Sequence, residues 1–187
     1  SWNPKGDQQT FDQIVTLVQA SGLQHVVLTG GEPMLSSEAT DLCHLLQSEG
    51  FHLTVETAGT IDRPTPCDLL SISPKFKSST PDIGEHPKWS KLHAERRMPI
   101  ATMRQLIDTA SDYQIKFVVD SPDDYEELLE IVTQLEVPSD SVWVMPQGST
   151  NEAMDAAAQW LKAWVQQAGF HYCDRMQIRW YGNRRGT

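Results

Sequence analysis

Cysteine is scarce: Cys43, Cys67 and Cys173 are the only three in 187 residues, odd in number and far apart. That pattern favours reduced thiols in a cytoplasmic protein over a disulfide framework. Positive charge is also short, with 15 Lys and Arg against 25 Asp and Glu and a formal net charge of -10. Broad contact with a phosphate backbone needs a cationic surplus, so no nucleic-acid partner is expected. A local basic pocket stays open, with Arg184-Arg185 as a candidate. No apolar run approaches the length that crosses a bilayer, and the opening residues lack the charged-then-apolar pattern of a leader, so no membrane partner is expected either. Internal repeats and low-complexity stretches are missing as well. The remainder, 39% hydrophobic and 21% charged, describes a soluble globular chain, most simply one domain over residues 1–187.

Within that composition, one stretch organises the rest: His25-Val26-Val27-Leu28 runs into Thr29-Gly30-Gly31-Glu32-Pro33. The apolar run predicts a strand buried on both faces, as in a parallel sheet. The two glycines allow a sharp turn and close approach of a ligand, and Glu32 falls at the strand's carboxyl end, where such sheets place their sites. Phe11, Ile14, Val15 and Val18 predict a preceding helix over residues 10–20, ended by Gly22. A second helix starts near Ser37 with Leu42, Cys43, Leu45 and Leu46 as its apolar stripe. Strands are predicted at Leu53–Glu56, Leu69–Ser73, Ile115–Val119, Val142–Met145 and Met176–Trp180. Residues 76–99 lack a period and read as a long loop, of the kind that carries function or disorder. A helix is expected around Met103, Leu106 and Ile107. Ser121-Pro122-Asp123-Asp124 predicts a capped helix start, and Ser149 with Glu152 a capping box for a helix that ends at Gly169. Strands alternating with helices predict an α/β fold with a mostly parallel sheet.

The carboxyl ends of those strands supply the candidate chemistry. They are Thr29 to Pro33, Glu56-Thr57-Ala58-Gly59, Ser73-Pro74-Lys75 and Pro146-Gln147-Gly148, with Lys116 inside a strand. In a parallel arrangement such ends share one face, so dispersed residues can form one pocket. Hydroxyls, a glutamine amide and a lysine suit a zwitterionic ligand that carries a ribose. For Ser73, Thr57 and Ser149 the plainer role is a turn or a cap. Lys116 faces either a cavity or the sheet rim. His44, His52, His86, His93 and His171 show no metal-ligand spacing and read as surface or packing residues, and Cys43 reads as core.

Taken in order, Val27-Leu28-Thr29-Gly30-Gly31-Glu32-Pro33, Val55-Glu56-Thr57-Ala58-Gly59-Thr60, Ser71-Ile72-Ser73-Pro74-Lys75, Lys116-Phe117-Val118-Val119 and Tyr181-Gly182-Asn183-Arg184-Arg185-Gly186-Thr187 resemble the 7-carboxy-7-deazaguanine synthase family over essentially the whole chain. The resemblance implies a radical S-adenosylmethionine enzyme on a partial (β/α) barrel. The reaction it implies is ring contraction of 6-carboxy-5,6,7,8-tetrahydropterin to 7-carboxy-7-deazaguanine with loss of ammonia, in queuosine and 7-deazapurine biosynthesis. Implied cofactors are S-adenosylmethionine, a [4Fe-4S] cluster and Mg2+. Implied partners are the pterin, an electron donor such as flavodoxin or ferredoxin, and a second copy in a homodimer. Carried over by motif, Gly31 and Glu32 meet the methionine end of the cofactor. Ser73, Pro74 and Lys75 lie along it, and Gln147 reaches its ribose. Thr29 bonds the pterin, and the carboxylate of Thr187 takes the pterin's guanidine-like edge.

The family's Cys-x3-Cys-x2-Cys motif has no counterpart among Cys43, Cys67 and Cys173. In the family a Ser-Trp-Asn-Pro-like stretch follows that motif, and Ser1-Trp2-Asn3-Pro4 opens this sequence. The chain is therefore expected to lack the N-terminal strands, the cluster loop and the Mg2+ ligand, to carry no assignable catalytic or metal residue, and to be inactive alone. Alternatives are a non-catalytic module binding an adenosyl or pterin ligand, and an activating-type radical protein acting on a protein partner.

Overall fold

Thr10 opens the first helix with a reciprocal cap: Gln13 N donates to Thr10 Oγ1 at 3.3 Å and Thr10 N donates to Gln13 Oε1 at 2.8 Å. The computed structural model describes residues 7–184. In chain order its elements are α1 (Phe11–Ser21), β1 (His25–Leu28), α2 (Ala39–Ser48), β2 (His52–Thr57), β3 (Leu69–Ile72), α3 (Pro87–Arg96), α4 (Ile100–Thr109), β4 (Tyr113–Val119), α5 (Asp124–Leu135), β5 (Val142–Pro146), α6 (Asn151–Ala168), β6 (His171–Tyr172) and α7 (Met176–Tyr181). Parallel strands alternating with helices make the chain α/β. No described helix is long and apolar enough to cross a membrane.

Two compact units form, one from residues up to Ile72 with Ala101–Tyr113, the other from Ser73–Ile100 with residues from Gln114 on. In the first, β1 and β2 run parallel with His25 opposite His52, and β2 and β3 run parallel with Thr54 opposite Leu69. Its buried core includes Met34, Cys43, Leu46, Leu53, Val55, Leu70, Ile72 and Met103. In the second, β4 and β5 are parallel with Ile115 opposite Val142, and β5 and β6 are parallel with Trp143 opposite His171. Phe117, Val119, Leu128, Val144, Met154 and Leu161 are buried there, and Phe76 stacks on Phe117 with ring centroids 5.5 Å apart. On α6, Trp164 stacks on Tyr125 of α5 at 3.8 Å.

Five local expectations are corrected. Ser121-Pro122 does not cap α5, which begins at Asp124 with Asp123 at its cap position and no side-chain cap hydrogen bond. Met176 to Trp180, an alternating run, forms helix α7, and the final strand is the short His171–Tyr172 before it. Only Ile178 of α7 is buried, so a six-residue helix with a single inward side chain mimics strand alternation. Residues 76–99 are not one long loop, because a 3-10 turn occupies Lys77–Ser79 and α3 follows. Proline at the first turn of α3 starts that helix without the apolar stripe that would have revealed it. The cap of α6 is Thr150, whose hydroxyl accepts Ala153 N at 3.2 Å, in place of Ser149 with Glu152. Finally, β1 is not buried on both faces: His25 and Val27 are exposed, Val27 at 53%.

Candidate functional site

The Gly-Gly-Glu turn belongs to the first unit. Gly30 follows β1 with φ 107, a backbone angle that side-chain-bearing residues rarely adopt, and Glu32 then caps a 3-10 turn over Pro33–Leu35. Its Oε1 accepts Met34 N at 3.1 Å and its Oε2 accepts Ala58 N at 2.8 Å. The Thr57 hydroxyl lies 2.8 Å from Oε1 and 2.9 Å from Oε2. Thr57, only 4% exposed, in turn accepts Gly59 N at 3.0 Å. The four contacts to Glu32 fall two on each oxygen, so the carboxylate is held in one orientation. Gly59 is confined here: a Cβ would lie 2.8 Å from Ile72 Cγ2 and 2.9 Å from Met103 Cγ, at φ 70. On the same unit, the exposed Thr29 donates its hydroxyl to Glu56 Oε2 at 2.9 Å.

The second unit holds a cavity of about 370 Å³ whose wall includes Pro74, Lys75, Phe76, Asp120, Gln147 and Arg175. Gln147 stands at the end of β5, its N–H bonded to Val119 O at 2.7 Å. Lys75 Nζ donates to Ser73 Oγ at 3.1 Å. The segment after Lys75 is tied down from two helices. Arg97, following α3, donates to Lys75 O at 3.0 Å and forms an ion pair with Glu127 of α5. Glu127 also accepts Lys77 N at 3.0 Å, and the buried Asp124 accepts the Ser78 hydroxyl at 2.7 Å. His93 of α3 stands 3.2 Å from Ser79 Oγ and 3.1 Å from Thr80 Oγ1. Burial, then the charges of Arg97 and Lys75, hold its imidazole below the usual histidine range, with Glu127 opposing them.

Of the residues singled out in the sequence, Gly31, Glu32, Thr29 and Thr57 lie on the first unit, while Ser73, Pro74, Lys75 and Gln147 lie on the second. The structure brings Glu32 to Thr57 and Ala58, and sets Lys75 and Gln147 on one cavity wall. Thr57 does more than turn the chain, because it holds the carboxylate. Thr187 and Arg185 lie outside the described residues. Arg97, Asp120 and Arg175 were not legible as site residues. Arg175 meets Gln147 across 28 positions of sequence, a separation at which no short motif signals a partner.

The cysteines do not fit an iron-sulfur cluster. Cys43 and Cys67 are buried and Cys173 half-buried. Burial pushes the Cys43 thiol up to about 11. Burial again, with repulsion from Cys43 and Asp68, pushes Cys67 up to about 12 against a backbone hydrogen bond at Val55. Cluster ligands are thiolates, so such protonated, dispersed thiols are poor ligands. Among the described residues no group of three or more His, Cys, Asp or Glu is placed to hold a metal ion.

No protein-family model matches the chain. Among curated proteins, a 7-carboxy-7-deazaguanine synthase of Rhodopirellula baltica is 54% identical over 187 residues, covering 100% of this chain and 73% of that protein. One of Halobacterium salinarum is 38% identical, covering 95% of this chain and 73% of its own length. Among solved structures, QueE from Escherichia coli superimposes with a TM-score of 0.59 at 22% identity over 89% of this chain, which spans only 64% of QueE. Streptococcus suis SuiB bound to S-adenosylmethionine gives a TM-score of 0.60 at 13% identity, over 91% of this chain and 43% of SuiB. These structural likenesses establish a shared α/β fold.

Proposed function

The chain belongs to the 7-carboxy-7-deazaguanine synthase family, and we propose that it forms the cofactor- and substrate-binding part of such an enzyme. The proposed reaction is S-adenosylmethionine-dependent ring contraction of 6-carboxy-5,6,7,8-tetrahydropterin to 7-carboxy-7-deazaguanine, with release of ammonia. The likeness to the Rhodopirellula baltica synthase along the whole chain carries the proposal. An electron donor of the flavodoxin or ferredoxin kind, Mg2+, a homodimer and a cytoplasmic setting belong to the same proposal.

The residues present suit S-adenosylmethionine. Glu32 offers the cofactor's ammonium a carboxylate whose orientation is set by Met34 N, the Thr57 hydroxyl and Ala58 N. Gly31 lets that end of the ligand approach the backbone. In the second unit, Ser73, Pro74 and Lys75 present a hydroxyl and an ammonium on a segment held by Arg97, and Gln147 presents its amide to the ribose. When bound, S-adenosylmethionine supplies the adenosyl group that starts radical chemistry in enzymes of this type. Thr29 takes a pterin nitrogen or oxygen through a hydroxyl oriented by Glu56. No step is assigned through a cluster, because this chain's cysteines do not fit one.

A second proposal, a non-catalytic module for an adenosyl or pterin ligand, is favoured by those cysteines alone. Titration of S-adenosylmethionine separates the roles, using the enzyme that carries this chain with its cluster reconstituted without oxygen. Glu32→Gln and Lys75→Ala should each raise Kd at least about tenfold, the worth of one charge-assisted hydrogen bond, without altering cluster absorbance. Unchanged affinity in both variants removes the cofactor assignment.

A further inference from the structure

On the cofactor assignment above, we infer that Arg175 is a positioning residue. It orients the Gln147 amide and thereby selects a ligand atom that accepts a hydrogen bond. Arg175 Nη1 lies 3.1 Å from Gln147 Oε1 and 2.9 Å from Gly148 O. A guanidinium has donors only, so it forces the amide oxygen toward itself and turns Nε2 away. Gln147 is held at both ends, its backbone N–H on Val119 O at 2.7 Å and its side-chain oxygen on Arg175. Gln147 and Arg175 both line the cavity that holds Lys75.

Arg175 is itself built on a fixed base. Its N–H donates to Asp174 Oδ1 at 2.8 Å, and Asp174 Oδ2 accepts Arg179 Nε at 3.0 Å. Arg179 also pairs with Asp155 of α6 at 2.7 Å. The guanidinium of Arg175 is thus presented from a segment anchored to a neighbouring helix. Among the described residues Gln147 Nε2 has no acceptor, so an N–H donor is what this side chain offers a ligand. A ribose oxygen or a purine nitrogen fits that polarity, and a ligand N–H does not. Without Arg175 the amide can flip and present its oxygen, and the selection is lost.

The test combines two readouts. In this chain, NMR relaxation of the Gln147 side-chain NH2 should report a restrained group that becomes mobile in Arg175→Ala. In the reconstituted enzyme, titration with S-adenosylmethionine should give Arg175→Ala and Gln147→Ala similar rises in Kd of about tenfold, with no further rise in the double variant. Gln147→Glu keeps the contact to Arg175 but removes the donor. It should melt no earlier than the parent and yet bind about tenfold more weakly, an effect that a purely structural pair would not produce. A Gln147 amide equally restrained in Arg175→Ala, multiplying effects in the double variant, or full affinity in Gln147→Glu each overturns the inference. Full affinity in Glu32→Gln and Lys75→Ala marks failure of the cofactor assignment itself. Full affinity in Arg175→Ala alone, with Gln147→Ala impaired, marks failure of the positioning role.

Discussion

Both carboxylate oxygens of Glu32 lie within reach of one hydroxyl, Thr57 Oγ1, at 2.8 and 2.9 Å. The acid that caps the turn after β1 is therefore oriented by the residue that ends β2, itself only 4% exposed. Replacing Thr57 with valine keeps the shape and removes the donor. The first unit should lose about 1.5–3 kcal/mol, the worth of a hydrogen bond to a charged group. Urea denaturation measures it, and a loss below about 0.5 kcal/mol would show that the hydroxyl does not hold Glu32.

Arg97 and Glu127 make a partly buried pair, with side chains 19% and 23% exposed. Lys91 and Glu95 offer an internal contrast, at 3.9 Å and 78% and 53% exposed. A double-mutant cycle on Arg97 and Glu127 should give more than about 1 kcal/mol of coupling, little changed by salt. The exposed helical pair should give about 0.3–0.5 kcal/mol and fade in salt. Equal couplings would contradict a clamp on the Lys75 segment.

His93 gives a pH dependence with a definite sign. Its folded imidazole sits below the ordinary value of 6.5, chiefly through burial. Below that ordinary value the unfolded chain binds the proton first, so stability is complete above it and declines as pH falls toward the folded value. Denaturation between pH 7.5 and 5 should therefore show a steeper loss for the parent than for His93→Asn. Parallel curves would mean that His93 titrates normally.

Cys43 and Cys67, pushed up to about 11 and about 12 by burial, should resist alkylation at pH 8 in the folded chain and react once it is unfolded. Mass spectrometry of timed labelling reads this directly. Rapid modification of either in the native chain would contradict their burial.

Much of this architecture is legible in local patterns. The first helix with its Gly22 stop, the acids opening α5 and the apolar runs of β2 to β5 follow from short-range chemistry, and each appears near its expected place. The Gly-Gly-Glu turn is legible for the same reason, because a strand, glycines and an acid are contiguous. What escapes is set by distance. Thr57 reads as a turn residue until its hydroxyl meets Glu32 from 25 positions away. Arg97, Glu127 and Arg175 act through partners 22 to 30 positions distant. Met176–Trp180 alternates like a strand yet is helical for another reason: in six residues, alternation and helical spacing cannot be told apart.

Turnover tests the central claim most directly. The enzyme that carries this chain, reconstituted with iron and sulfide without oxygen, is given 6-carboxy-5,6,7,8-tetrahydropterin, S-adenosylmethionine, Mg2+ and a reductant, and products are read by mass spectrometry. The account predicts 7-carboxy-7-deazaguanine with one ammonia per product, and a marked drop in product at limiting S-adenosylmethionine when Glu32 or Lys75 is replaced. Absence of that product from the intact enzyme, or its undiminished formation in both variants, would contradict it.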